Sequence, residues 1–552
     1  MLLSLVSLLP LIPYSVAITI PRGGVSPSRP LPRSMEERQS DGIGWHGYRS
    51  VGYYPNWVIY NSDPFAVTNI TASDYTHIIY AFANVDLDSG QVFLGDDWAD
   101  TQYPYPTDDT NEEGNNLYGN LKQLFLLKQQ NRNLKIQLGI GGATYSSNFN
   151  GITSQEWRET FTTSAVDLVT NLGFDGLCLD YGMSNSFRNS KLLRVLARHT
   201  CGRRIMTQKV THSPMNAQTA PLVDLFRRLR LGLNSAASQI GGGHFILSWA
   251  ASCGAYNWAP QDVPGMNQYL DYWNLMAYDF SGPWTDTALP ASNLYPDGRS
   301  SDVGASGSQC LQHYVDEGVD PRKLNLGMPL YGTAFTGTQG MWTSWTGTEQ
   351  YDVSELPVDG DTIAYNAILG GSWSYNPSNG RVVSFDTPTL ALQKAIYVIE
   401  HNIGGMMYWS IDGDYSRLQS EGASRPGNLS AERSTDWSKR NVDGRNEKGG
   451  EGDGEEGGNS GHGGGGHNNC TEEEHGGHGH GGGHHDCTGG GDDGGNGGAN
   501  NNNTVPINTA IGYSLVDTVI TAFKRYGGGL DTTTNRLEYP TSEYDNLRAG
   551  FP

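Results

Sequence analysis

A chain of 552 residues has room for one large domain plus extensions, and its formal net charge of -22 excludes nucleic acid and anionic membrane surfaces as partners. The composition is otherwise that of an ordinary globular protein, except for an excess of glycine, 73 in all, that is unevenly spread and densest in one stretch near the end.

In chain order, residues 1–17 form an apolar run that ends Ser15-Val16-Ala17, the small-residue pattern of a secretory cleavage site. The run is too short to span a bilayer comfortably, and no other segment is long and apolar enough to cross a membrane. Export predicts an oxidising environment in which the six cysteines, 178, 201, 253, 310, 470 and 487, can pair. Cys253 with Cys310 and Cys470 with Cys487 are candidate bridges, although spacing alone does not fix the pairing. Asn69, Asn428, Asn469 and Asn502 each head an acceptor triplet for a glycan. Residues 18–45 are rich in Pro, Gly, Arg and Ser and read as an extended leader without a core.

The folded domain is expected over 46–430. Strands are predicted at Ser50–Tyr54 and Tyr75–Ala83, then a helix over Asn120–Gln130 and a strand over Leu134–Ile140 ending in Gly141-Gly142. Helical apolar spacing over Trp157–Leu172 feeds a fourth strand from Phe174. A helix over Pro221–Leu233 follows, then strands over Phe245–Ala250, Tyr272–Asp279 and Leu324–Gly332. A helix over Thr387–His401 precedes the last strand, Gly405–Asp412. Strands alternating with helices at this spacing predict an α/β fold of parallel strands with right-handed crossovers. Eight strands make it a (β/α)8 barrel, with an insertion over Met341–Gly380 between strands seven and eight.

Residues 431–504 are Gly, His, Asp and Glu rich and read as a disordered linker. Seven histidines lie between Asp443 and Asn503, but spacings such as His475, His478 and His480 match no closed metal site, and no metal is expected. Residues 505–552 hold one apolar helical stretch, Ile507–Phe523, whose role the sequence leaves open between a small folded unit and a partner-binding helix.

The chemistry is expected at Asp175-Gly176-Leu177-Cys178-Leu179-Asp180-Tyr181-Gly182. Alternation puts Cys178, Asp180 and Gly182 on one face of the strand, which in a closed parallel barrel is the interior. A carboxylate there is costly unless it is paired or functional. At these residues the chain resembles the glycoside hydrolase family 18 chitinases, whose fourth strand reads D-G-x-D-x-D-x-E. Asp175, Gly176 and Asp180 match, while Cys178 replaces the middle Asp and Gly182 replaces the proton-donating Glu. The resemblance extends over residues 48–414. Tyr53-Tyr54-Pro55-Asn56-Trp57 and Tyr80-Ala81-Phe82 look like the ends of the first two strands. Met276-Ala277-Tyr278-Asp279 matches M-x-Y-D, and Gly327–Gly332 and the Trp409 strand look like the seventh and eighth. Gly139 and Ala143 depart from the usual Ser and Trp.

What the resemblance implies is hydrolysis of β-1,4 N-acetylglucosamine linkages by a retaining route in which the substrate's own acetamide is the nucleophile. By carry-over, Asp180 orients the acetamide, Tyr278 donates to its carbonyl, Asp279 contacts the sugar, and Asp175 supports the inner network. Tyr53, Trp57, Phe82, Gly141, Gly142, Met276, Tyr331 and Trp409 would line the groove, with Trp409 under the reacting sugar. Flat aromatic walls suit the apolar faces of hexose rings. The implied protein is secreted and monomeric, binds chitin or chito-oligosaccharide, and needs no cofactor.

Residues 181–216 break the pattern. They carry Arg188, Lys191, Arg194, Arg198, Arg203, Arg204 and Lys209 and no acid, in an otherwise acidic chain. The segment begins at the lost Glu and pushes the next helix back. It reads either as a translated intron, since Gly182-Met183-Ser184 can be encoded with a fungal splice-donor sequence, or as a true insertion in a chitin-binding relative without turnover.

Overall fold

The computed structural model describes residues 46–181, 214–254, 261–298, 305–415, 509 and 512–551. The signal and leader readings, the basic segment, Gly182 and the Gly/His stretch lie outside the described residues.

Eight parallel strands close a barrel: β1 Arg49–Pro55, β2 His77–Val85, β3 Lys135–Gly141, β4 Gly176–Asp180, β5 Ile246–Ser252, β6 Tyr272–Met276, β7 Leu324–Pro329 and β8 Gly405–Trp409. Each strand pairs with its neighbours in sequence, and β1 pairs with both β8 and β2 to shut the sheet. The strands are buried on both faces, which is why they read as nearly continuous apolar runs rather than clean alternation.

The helices around them are α1 Gly119–Gln130, α2 Gln155–Leu172, α3 Pro214–Gln239, α4 Gly307–Asp316, α5 Pro388–Glu400 and α6 Leu515–Ala522. Local chemistry sets their ends. Ser154 caps α2 by accepting from the Trp157 N–H, and Gly173 stops it in the left-handed region. Thr387 caps α5, with Pro388 at its first position. The expected start of α3 at Pro221 is too late: the helix begins at Pro214 and runs through Pro221. Its buried stripe of Leu222, Leu225, Phe226, Leu229 and Leu233 outweighs the one hydrogen bond a proline removes.

The insertion is also wider than its composition suggested. A five-stranded antiparallel sheet runs from Tyr331–Thr336 to Arg381–Ser384, so Tyr331 and Gly332 open this sheet rather than close β7. Cys253 and Cys310 form a disulfide that ties the end of β5 to α4, and Cys178 is a free, buried thiol.

The segment after the Gly/His stretch is part of the barrel. Helix α6 packs against α5 and takes the place of the eighth barrel helix. The buried Asp414 carboxylate, five residues beyond β8, accepts from Ser514 Oγ at 2.7 Å and from the N–H groups of Leu515 and Val516 at 2.9 and 3.2 Å. A side chain from before residues 416–511 thus caps a helix that follows them. Further on, Phe523 stacks on Tyr48 at 4.4 Å, and Asn535 Nδ2 donates to the carbonyls of Lys128, Asn131 and Leu134. The reading that closed the domain at residue 430 left these contacts out.

Candidate active site

The C-terminal ends of the strands gather an interior cluster of Tyr53, Phe82, Cys178, Met276, Tyr278 and Met407, with Tyr145, Tyr331 and Trp409 packed against it. Barrels of this architecture carry their sites at this face.

Asp180 is the last residue of β4 and is 7% exposed. Burial pushes its carboxyl up to about 7, and no hydrogen-bond donor among the described residues relieves it. Two residues earlier on the same face, Cys178 lies 3.6 Å from the Tyr53 hydroxyl and receives Asn274 Nδ2 at 3.8 Å. Burial drives this thiol up to about 12, so it stays a neutral thiol beneath Asp180. Asn274 in turn accepts from Asn325, which accepts from Arg49, so a polar chain climbs the barrel and ends at Cys178.

Tyr278 follows β6, and its hydroxyl donates to Met407 Sδ at 3.8 Å. Asp279 adopts a positive φ of 57°, which turns its carboxylate to accept from the Tyr331 hydroxyl at 2.6 Å. Burial raises the Asp279 carboxyl above its ordinary value and the Tyr331 bond opposes the rise. The Tyr278 and Tyr331 rings meet edge-on at 6.2 Å.

The aromatic wall is continuous. Phe82 stacks on Trp409 at 5.7 Å and 17°, Tyr53 meets Trp409 edge-on at 5.1 Å, and Trp57 lies 6.5 Å from Trp409. Trp57 is 45% exposed, a large apolar surface left facing solvent at the rim of the Phe82–Trp409 stack. The two glycines at the end of β3 are close-approach positions. A Cβ on Gly142 would stand 2.5 Å from the Phe82 ring, and one on Gly141 would stand 2.2 Å from the Asp180 carbonyl oxygen.

Asp180, Tyr278, Asp279, Tyr53, Phe82, Met276, Tyr331 and Trp409 therefore come together, with Trp57 at the rim and Gly141 and Gly142 beneath. Asp175 does not join them. It precedes β4, roughly 16 Å from Asp180 along an extended strand. Its carboxylate pairs with Lys128 Nζ at 2.8 Å and accepts the N–H groups of Ile136 at 2.7 Å and Arg536 at 2.8 Å. Its expected role in the catalytic network is corrected to an anchor at the opposite end of the barrel. Tyr145 and Met407 went unread as site residues. Met407 had a signal, since it alternates with Trp409 on β8; Tyr145 closes the one-turn helix Gly142–Tyr145 after β3 and had none. Among the described residues there is no cluster of His, Cys, Asp and Glu that could hold a metal ion.

Comparison with known proteins gives one answer. The family model of the glycosyl hydrolases family 18 matches residues 49–414. Endochitinase 1 of Metarhizium robertsii is 33% identical over 378 residues, covering 67% of this chain and 82% of the relative. Chitinase 1 of Aphanocladium album is 34% identical over 374 residues, covering 66% and 81%. Among solved structures, the catalytic domain of the psychrophilic chitinase B from Arthrobacter TAD20 superposes with a TM-score of 0.57 at 25% identity, covering 70% of this chain and 98% of that one.

Proposed function

The chain belongs to the glycosyl hydrolases family 18, a chitinase family, and from that premise we propose that it is a secreted protein directed at chitin, holding the acetamide-binding and aromatic parts of a substrate-assisted glycosidase site but not the acid. The observation that carries this reading is the meeting of Asp180 and Tyr278 with the Phe82–Trp409 stack at the strand ends.

A sugar seated on Trp409 presents its acetamide to the interior. The Asp180 carboxyl, with no donor of its own among the described residues, accepts the acetamide N–H. That bond favours the carboxylate, which then balances the positive charge as the acetamide oxygen attacks the anomeric carbon. Among the described residues the Tyr278 hydroxyl holds a weak sulfur acceptor, and it is free to turn to the acetamide carbonyl. Asp279, fixed by Tyr331, meets a sugar hydroxyl. The leaving oxygen needs a proton, and that duty belongs to position 182, where glycine has none to give. Loss of a general acid costs roughly 10²–10⁴-fold in rate.

A second reading has a specific observation behind it: the Tyr53, Trp57, Phe82 and Trp409 wall is present while the acid is missing, which suits a chitin-binding lectin-like protein. Incubating the full chain with chitopentaose and with an aryl chito-oligoside tests the proposal. Expected are binding of both, negligible cleavage of the first, and measurable cleavage of the second, whose leaving group needs little protonation. Equal cleavage of both would contradict it.

A further inference from the structure

Behind the aromatic wall lies a buried carboxylate that the reaction does not use. Asp100 sits in the short helical turn Trp98–Gln102, in the loop after β2, and is fully buried. Its Oδ1 accepts from Asn56 Nδ2 at 2.9 Å and from the Tyr80 hydroxyl, and its Oδ2 accepts the Asp96 N–H at 3.1 Å. Asn120 of α1 donates to the same Tyr80 hydroxyl at 3.3 Å. The donors thus come from the end of β1, from β2 and from the loop itself.

Each donor stands next to a groove element. Asn56 precedes Trp57, and Tyr80 lies two residues before Phe82 on β2. Gly95, at the start of the Asp100 loop, passes so close that a Cβ there would stand 2.6 Å from the Phe82 carbonyl oxygen. The turn that carries Trp57, Asn56–Tyr60, has no side-chain cap at its N-terminus; the Asn56–Asp100 bond anchors its first residue, and the Tyr60 hydroxyl, donating to Asp96 Oδ2 at 2.9 Å, ties its last residue to the same loop. A buried carboxylate is expensive, and satisfied by three donors it rigidifies what it joins.

We propose that Asp100 is a positioning residue of the groove: it holds the Trp57 turn and the end of β2 in fixed relation, and so sets the spacing of Trp57 and Phe82 from Trp409 on which affinity for a β-linked N-acetylglucosamine chain depends. The ligand in this statement rests on the chitin reading above; the ring spacing does not.

The test compares the full chain with Asp100→Ala and Asp100→Asn. The first readout is the far-ultraviolet circular-dichroism couplet between the indoles of Trp57 and Trp409, assigned with Trp57→Phe and Trp409→Phe. The second is chitopentaose affinity by calorimetry. Asp100→Ala should abolish the couplet and weaken chitopentaose by roughly tenfold. Asp100→Asn keeps an acceptor for Asn56 and should restore part of both, which a merely structural role would not predict. Should Asp100→Ala not fold, Asn56→Ala removes Asp100's own bond to the Trp57 turn, leaves Tyr80 on Asp100, and should lose the couplet too. A folded Asp100→Ala or Asn56→Ala protein with an unchanged couplet overturns the inference. If the wild-type chain itself does not bind chitopentaose, the chitin reading fails while the couplet still decides the role of Asp100.

Discussion

Replacing Asp180 by Asn removes the charge at the floor of the site and keeps the shape. Its carboxyl rises from the ordinary 3.8 to about 7 because burial strips it of water and no donor among the described residues compensates. The buried groups around it are the Tyr53 and Tyr278 phenols and the Cys178 thiol, all neutral at pH 7. Below about pH 4 the carboxyl is protonated folded and unfolded, and it makes no difference to stability. Between about pH 4 and about pH 7 the unfolded chain ionises while the folded chain holds its proton, so stability falls as pH rises. At about 1.4 kcal/mol per pH unit the full cost above pH 7 is on the order of 4 kcal/mol. Urea unfolding of the wild type and Asp180→Asn should therefore agree near pH 4 and diverge by several kcal/mol near pH 7.5, with the variant the more stable. Chitopentaose, whose acetamide N–H supplies the absent donor, should release a proton on binding to the wild type near neutral pH and none on binding to the variant. A stability difference that does not change with pH, or a less stable variant at neutral pH, would refute the picture of an unsatisfied buried carboxyl.

Trp409→Ala should weaken chito-oligosaccharide binding by about 1–3 kcal/mol in a folded protein, read by calorimetry, since the ring is the centre of the wall; unchanged affinity would remove it from the groove. Deleting residues 449–503 should leave the melting temperature and oligosaccharide affinity unchanged, whereas truncation at residue 505 should lower stability by more than about 4 kcal/mol by stripping α6 and the anchors of Asp175 and Lys128. Asp175→Ala should cost roughly 3–5 kcal/mol in a denaturant melt, because Lys128 is left buried without its partner, and should leave sugar affinity intact in the fraction that folds. A loss of affinity at constant stability would return Asp175 to the site.

The strands and most of the site were legible because the signals are local. Met276 to Asp279 and Trp409 sit within a few residues of the strand that presents them, and Asp180 stands out as a lone carboxylate in an apolar strand. The role of Asp175 was not legible. Its partners, Lys128 and Arg536, lie far off in the chain, Arg536 by 361 positions, and no local pattern announces such a contact. The closing helix was hidden for a similar reason: Asp414 meets Ser514 across 100 positions of mostly unpatterned chain. Asp100 was missed because a loop acid reads as solvated until the Asn56 and Tyr80 side chains are seen on it.

On the proposed function, position 182 lacks the acid and the rest of the site is ready for it. The direct measurement is the rate of chitopentaose cleavage by the full chain and by a variant in which residues 182–213 are replaced by Glu-Tyr ahead of Pro214. The variant should cleave at least ~10²-fold faster, the low end of general-acid assistance, and Asp180→Asn within it should abolish the gain. A full chain that already cleaves chitopentaose as fast as the variant would contradict the claim and move the proton donor to another acid.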